Sequence, residues 1–546
     1  MPSATPSPAD GGRPVTGTET EATALLGWLT DPEAPRLCLV TGAPGSGKTA
    51  LLGWFAKHGP RAGRPRRRTA RVLVPLAGQS ALGATWTIAD RLGVVARSPG
   101  DLVHALATSE ARPAGRAVLL LTDLHAAAEP AALTDLIAEL AGVGRVRLVV
   151  EARSGTPAPA ALRTDRRVTV VDLDGDADPG GSGAPERARP RPDLSDPVAV
   201  CTADPLLVTT AYVTGSAAAG LPGTLDGPEV PARPGGLRSA WMRAGQSLCR
   251  EQAPADRALV LLSALGDGAD PRLRPALAEL AAAAPWRLRW ARHRGDLTPP
   301  WPGPVTVLGA AAGPLEGTVL VGDRTGTVRL LHEADASPAG RLAHTVPGRV
   351  TALAPAPDGT VLLLDDRGRL HTVRGTAPRA PYLERLTEAV SATLARHPGT
   401  ALAAIAGSVV VGDRLGSVHA FGLRGLHQAA SHSGRVTAVS AVESGTPFVC
   451  SGGADGTVRL WTPGQDPRPE PLAERPSPVV SLHATETPHG PLVAVAWGDG
   501  LVELHRPEGG PTLAFRPGPP VRAVAVTGGG SLLIGTDESL VCLAPR

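Results

Sequence analysis

From about residue 300 the chain repeats itself, and a repeat of this length leaves few architectures open. The segments VTVL at 305, VTAL at 350, VSAT at 390, VTAV at 436, VVSL at 479 and VRAV at 521 start 45, 40, 46, 43 and 42 residues apart. Each unit later carries a hairpin-like stretch: GDRTGTVRLL, DDRGRLHTV, GDRLGSVHAF, GADGTVRLW, WGDGLVELH and GTDESLVCL. One such unit cannot bury its own apolar faces, whereas units stacked around an axis can, so a period of roughly 40–45 residues predicts an all-β propeller with one unit per blade. Gly326, Gly368, Gly416, Gly456 and Gly500 fall at the hairpin turns, where a positive φ is needed, each with an acid shortly before it. The last unit stops at VCLAPR, one strand short. WRLRWAR at 286–292 is the nearest β-like stretch upstream and is expected to close the ring. Six blades is the preferred count and seven the alternative.

The first third of the chain carries a different signal. In LVTGAPGSGKTALLGW, residues 39–54, Gly42 to Thr49 fit the pattern Gly, four free positions, Gly-Lys-Thr, with an apolar strand running in and a helix running out. That arrangement predicts a phosphate-binding loop. Backbone amides from Gly45, Ser46, Gly47 and Lys48 to Thr49 would wrap a β-phosphate together with Gly42, Lys48 would bridge β- and γ-phosphates, and the Thr49 hydroxyl would ligate Mg²⁺. Further runs rich in Val and Leu at Arg36–Thr41, Arg71–Leu76, Ala117–Leu121, Arg145–Glu151 and Val168–Leu173 alternate with helical stretches such as ALTDLIAELAG. Continuous apolar strands between helices predict a doubly wound parallel sheet. The chain is therefore read as multidomain: a disordered tail over 1–15, an α/β P-loop nucleotide-binding domain over 16–174 and a Pro/Gly-rich linker over 175–197. A small helical lid or winged-helix-like domain over 198–285 and the propeller over 286–546 follow.

Composition excludes several classes. The 54 basic residues are offset by 51 acidic ones, a formal charge of +3, so no global field attracts nucleic acid or anionic lipid. The basic stretch RAGRPRRRTAR at 61–71 has no interleaved aromatic residues to stack bases and reads as a solvated loop. Five scattered cysteines show no metal or redox spacing and are expected to be reduced thiols. No apolar run approaches the ~20 residues of a membrane helix, so a cytoplasmic location is expected. Only Lys48 and Lys57 are lysines, which gives weight to a lysine kept in the loop, since Arg does not copy its compact charge.

Several stretches resemble the signal-transducing ATPases with numerous domains, a branch close to the AAA+ enzymes. AVLLLTDLHAAAE resembles their acidic strand end, with Thr122 in place of the first Asp. Asp123 then stands either for the second acid or, in the alternative register, for the metal-shell Asp; in both cases one carboxylate is missing. RLVVEARS places Arg153 where the family carries a sensor arginine, and TADPLLVTTAY resembles the family's Gly-x-Pro motif, with Pro205 toward the adenine or ribose and Ala203 replacing the Gly. Upstream, TGTETE carries Thr18 where an Arg is usual; His125 is read as structural. SGGADGTVRLW resembles the WD-repeat consensus, and the other five units are looser copies. The resemblances imply ATP or ADP with Mg²⁺ as cofactors, Thr49 and Asp123 at the metal and Asp123 and Arg153 at the chemistry. They imply a slow or silent ATPase that acts as a signal-transduction switch, with a protein partner on the propeller and a nucleotide-dependent oligomer. The competing expectation is a non-enzymatic scaffold whose nucleotide site is a relic.

Overall fold

The computed structural model describes residues 17–58, 70–108, 117–164, 167–174, 192–218, 236–294, 305–311, 313–342, 346–356, 358–373, 381–405, 407–422, 425–443 and 447–546. The tail over 1–15, the segment 175–191 and residues 61–69 of the basic stretch lie outside them. The chain divides into two compact units, one from residues 1–194 with 203–227 and the other from 195–202 with 228–546.

In the first unit α1 (Glu19–Thr30) precedes β1 (Leu37–Gly42), α2 (Lys48–His58), β2 (Ala70–Pro75), α3 (Ala81–Leu92), α4 (Pro99–Thr108) and β3 (Ala117–Thr122). Then come α5 (Pro130–Ala141), β4 (Val146–Arg153), α6 (Pro157–Arg163) and β5 (Val168–Asp172). The strands form a five-stranded sheet in the order β2-β3-β4-β1-β5, and every pairing is parallel. Side-chain alternation feeds two cores. Leu37, Leu39, Leu119, Leu121, Leu148 and Val150 face α3, α5 and α6, while Cys38, Val40, Val118, Leu120 and Val149 face α1 and α2. Local signals set the helix ends: Ser80 Oγ accepts the Gly83 amide at 3.2 Å at the start of α3, and Gly93 ends it at φ 67°. Arg147 lies buried within β4, its guanidinium 5.2 Å from the Trp28 ring and donating to the carbonyls of Trp28, Leu29 and Asp31 at the end of α1.

The helices beyond 197 do not form one domain. After α7 (Pro197–Thr202), α8 (Pro205–Ala218) packs on α3 in the first unit, with the Thr210 hydroxyl on the Gly78 carbonyl at 3.1 Å. By contrast α7, α9 (Leu237–Leu248), α10 (Pro254–Ala264) and α11 (Leu273–Leu280) belong to the second unit. There α10 packs on β6 (Trp286–His293), and the Ser247 hydroxyl of α9 donates to the Arg516 carbonyl at 2.8 Å. The expected lid over 198–285 is thus divided, because its apolar faces find different partners.

The rest of the second unit is a six-bladed β-propeller. Its innermost strands, Val307–Ala310, Val350–Pro355, Ala401–Ile405, Val436–Val442, Val479–Thr487 and Val521–Val526, touch one another in cyclic order, and the sixth meets the first. Five blades have four antiparallel strands, and the second has three among the described residues. Strand β6 supplies the outer strand of the last blade: it pairs antiparallel with Ser539–Pro545, from Ser539↔His293 to Pro545↔Trp286.

One repeat start is corrected. Val390 to Thr393 lie not in a strand but in α12 (Pro381–Leu394), whose Leu386, Val390 and Leu394 pack between the second and third blades against Leu364, Leu370, Val409 and Val411. Apolar residues four apart make a helical stripe, and VSAT alone does not show that period. The inner strand of that blade is Ala401–Ile405.

Candidate functional site

All parallel strands of the first unit end on the same side, where ligands of such sheets are bound. Strand β1 ends at Gly42, and the turn to α2 is shaped by Gly45 at φ 81° and Gly47 at φ 86°. A Cβ on Gly42 would stand 2.5 Å from Ser46 Oγ and 3.1 Å from Leu173 Cβ, so a larger residue here would have to turn the Ser46 hydroxyl aside. The turn folds over its own lysine. Lys48 is 5% exposed, and its ammonium donates to the carbonyls of Gly42 at 2.9 Å and Ala43 at 2.6 Å and to Ser46 Oγ at 3.2 Å. Burial lowers its pKa and the Arg153 charge adds to this, while the carboxylates of Glu151, Asp174 and Asp123 oppose it. Thr18 lies against the loop, its methyl 3.6 Å from where a Gly47 Cβ would be.

Asp123 follows β3 directly with φ 56°, a conformation rarely adopted outside glycine, and its side chain does not cap the short helix Leu124–Ala126. Arg153 is exposed at the end of β4, opposite Gly42 of β1. Its charge bears on Lys48 and on His125, whose pKa is lowered first by burial and then by Arg153. Gly42, Gly45, Ser46, Gly47, Lys48, Thr49, Asp123 and Arg153 therefore share one end of the sheet. Pro205 does not join them through the contacts of its own helix: it begins α8, which packs on α3 and the turn after β2, and β2 is three strands from β1.

Two acids not counted in the motifs complete the surroundings. Glu151, 2% exposed near the end of β4, accepts the Thr49 hydroxyl on Oε1 at 2.8 Å, and its Oε2 is buried without a hydrogen-bond partner. Its pKa is raised, chiefly by burial; the Thr49 hydroxyl, the Lys48 charge and the Asp123 backbone amide oppose this, and the Asp123 charge reinforces it. Asp174, just past β5, accepts the Ala43 amide and the Ser154 hydroxyl. The signal for Glu151 was present: a lone Glu inside RLVVEARS must be partnered if the strand is buried on both faces.

In the propeller the best-conforming unit is joined to its neighbour by polar contacts. His432 Nε2 pairs with Ser451 Oγ at 2.9 Å, and its Nδ1 lies 3.1 Å from Asp455 Oδ1 and 3.0 Å from Thr457 Oγ1. Burial opposes the charge on Asp455, but the bonds from His432, the Ser433 amide and Thr457 outweigh it and hold this carboxyl well below its usual range. The innermost strands surround a central cavity of about 630 Å³.

Comparison with known proteins bears on the second unit. The family model described as "WD domain, G-beta repeat" of WD40 matches residues 426–462. The match spans the outer strand of the third blade and three strands of the fourth. Among solved structures, the WD40 β-propeller domain of Doa1 is similar at 14% identity, over 48% of this chain and 97% of that one, with a TM-score of 0.33. The computationally designed Ika8 protein is similar at 20% identity, over 44% and 71% of the two chains, with a TM-score of 0.29. Comparison with curated proteins gives no match. The chain therefore carries a WD40 propeller, a type of domain that generally serves as a protein-interaction scaffold. No helix among the described residues is long and apolar enough to cross a membrane.

Proposed function

We propose that this protein is an adenine-nucleotide-responsive switch with weak or no hydrolysis whose WD40 propeller holds a protein partner. The observation that carries the proposal is Lys48, a buried ammonium at the carboxyl end of a parallel sheet, bonded to the oxygens of a turn built on Gly42, Gly45 and Gly47. A buried cation is costly unless it meets an anion, and a polyphosphate seated at the start of α2 would supply one. The residues fit ATP or ADP with Mg²⁺: Thr49 presents a hydroxyl bonded to the buried carboxylate of Glu151, whose other oxygen has no hydrogen-bond partner. Bound Mg²⁺ would neutralise phosphate charge. Lys48 would leave the Gly42 and Ala43 carbonyls for the phosphate, Thr49 and Asp123 would face the metal, and Arg153 would report the terminal phosphate. Asp174 on the Ala43 amide favours the second reading, a scaffold with a relic site, because it already fills part of the anion cradle.

Calorimetric titration of the full chain with ATP and ADP separates the two. Binding at micromolar or tighter affinity is expected, and Lys48→Ala should weaken it by roughly 100-fold, about 2.7 kcal/mol. Equal affinity in the two proteins, or no binding to either, would leave the scaffold as the better account.

A further inference from the structure

At the end of β3, where the family resemblance expects an acid and the chain has Thr122, the neighbouring strand β4 carries Glu151. Val118 and Leu120 of β3 and Val149 of β4 point to the α2 side of the sheet, so by strand alternation Thr122 and Glu151 point there too. Leu121 pairs with Val150, which makes Thr122 and Glu151 the next positions of their strands, at the same level. At that level β3 offers a hydroxyl and β4 a carboxylate. Strand β4 lies directly beside β1, with Glu151 opposite Val40, two residues before the glycine-rich turn begins.

We propose that Glu151 is the carboxylate that completes a divalent-cation site with Thr49, taking over the task that Thr122 cannot perform. This rests on the nucleotide reading above and assigns its metal ligands. The geometry supports it in three ways. A threonine hydroxyl has one proton, and Thr49 gives it to Glu151 Oε1 at 2.8 Å, so the oxygen lone pairs remain to accept a cation. Glu151 Oε2 is buried with no hydrogen-bond partner, which is what a carboxylate looks like when a ligand is meant to satisfy it. Mg²⁺ needs only one or two protein carboxylates when phosphate oxygens and waters fill the rest of its octahedron, so Glu151, Thr49 and a bound phosphate suffice in kind. Asp123, near Glu151, adds negative charge to the site.

The test is ATP affinity of the full chain with Mg²⁺ and with EDTA, by calorimetry, for the parent, Glu151→Gln and Asp123→Asn. The parent should bind ATP at least roughly tenfold tighter with Mg²⁺. Glu151→Gln, which can still accept the Thr49 hydroxyl, should bring that gap to about twofold or less while metal-free binding is kept or improved, since a negative charge near the phosphates is gone. Asp123→Asn, which removes a charge beside the metal but not the carboxylate bonded to Thr49, should narrow the gap less than Glu151→Gln does. A gap that survives Glu151→Gln, or that vanishes only in Asp123→Asn, overturns the assignment while leaving the nucleotide reading standing. Absence of ATP binding in EDTA and in Mg²⁺ alike removes both. Should Glu151→Gln not fold, Glu151→Asp keeps the charge but draws it back by one methylene, and an undiminished gap there is equally fatal.

Discussion

Asp123 and Ala336 are the non-glycine residues with positive φ among those described. For Asp123 the left-handed conformation costs less than the ~1–2 kcal/mol an ordinary residue would bear there, and no side-chain cap bond offsets what remains. Such a cost, borne at the end of a strand beside Lys48 and Glu151, is typical of residues kept for a site. Asp123→Gly should then leave thermal stability unchanged or raise it by up to ~1 kcal/mol, because glycine adopts this φ freely although it adds freedom to the unfolded chain. The same variant should lose any contribution of Asp123 to nucleotide binding. A fall of more than ~1 kcal/mol in chemical denaturation would show that the side chain is structural instead. Glu151 is the counterpart in sequence terms. It stood in plain view within a strand, but its importance depends on a neighbour 102 positions away, Thr49, that only the parallel register brings within 2.8 Å.

At the scale of elements, the hairpin glycines do more than permit a turn. A Cβ on Gly326 would stand 2.0 Å from the Val346 carbonyl oxygen, on Gly416 2.0 Å from that of His432, and on Gly456 2.1 Å from that of Arg475. In each case the glycine carbonyl also receives an amide from that segment: Val346, His432 and Arg475 donate to Gly326, Gly416 and Gly456 at 3.2, 3.0 and 2.9 Å. The turn of one blade is thus pressed onto the chain leading to the next. Gly456→Ala should cost at least ~2 kcal/mol, from positive φ together with a backbone clash. Gly509 also has positive φ, 102°, but open space around its Cβ position, so Gly509→Ala should cost only ~1 kcal/mol. Equal losses in denaturant melts of the two variants would mean that φ alone matters. Acidic residues in these turns cap them, as when Asp413 Oδ1 accepts the amides of Leu415 and Ser417, both at 2.8 Å.

For the whole molecule, closure of the ring is the decisive event. The WD40 match begins in the outer strand of one blade and ends in the third strand of the next, so repeats are offset from blades by one strand. An array offset in this way leaves its last blade short, and β6 fills the gap while its Trp286 indole bonds the Ala514 carbonyl at 2.9 Å. A fragment of residues 236–546, which keeps α9 to α11 and β6, should unfold as one cooperative transition. A fragment beginning at 304 should aggregate or melt well below it, because Ser539–Pro545 would become an open edge. Equal melting of the two would show that β6 is dispensable.

The amino-acid sequence by itself determined what short-range chemistry can determine. The glycine-rich turn, the alternation of strands and helices, the period of the propeller and the strand it lacked all follow from spacing and residue type. Residues 390–393 mark the limit, since four residues cannot tell a strand from one face of α12, and the difference lay in Leu386 and Leu394 on either side. Tertiary structure alone decided the rest. It set which helices after 197 joined which unit, because that depends on apolar faces elsewhere in the chain. It also set Glu151 of β4 against Thr49 and level with Thr122 of β3, because which groups meet at a site is fixed by where side chains lie in space and not by which strand carries them.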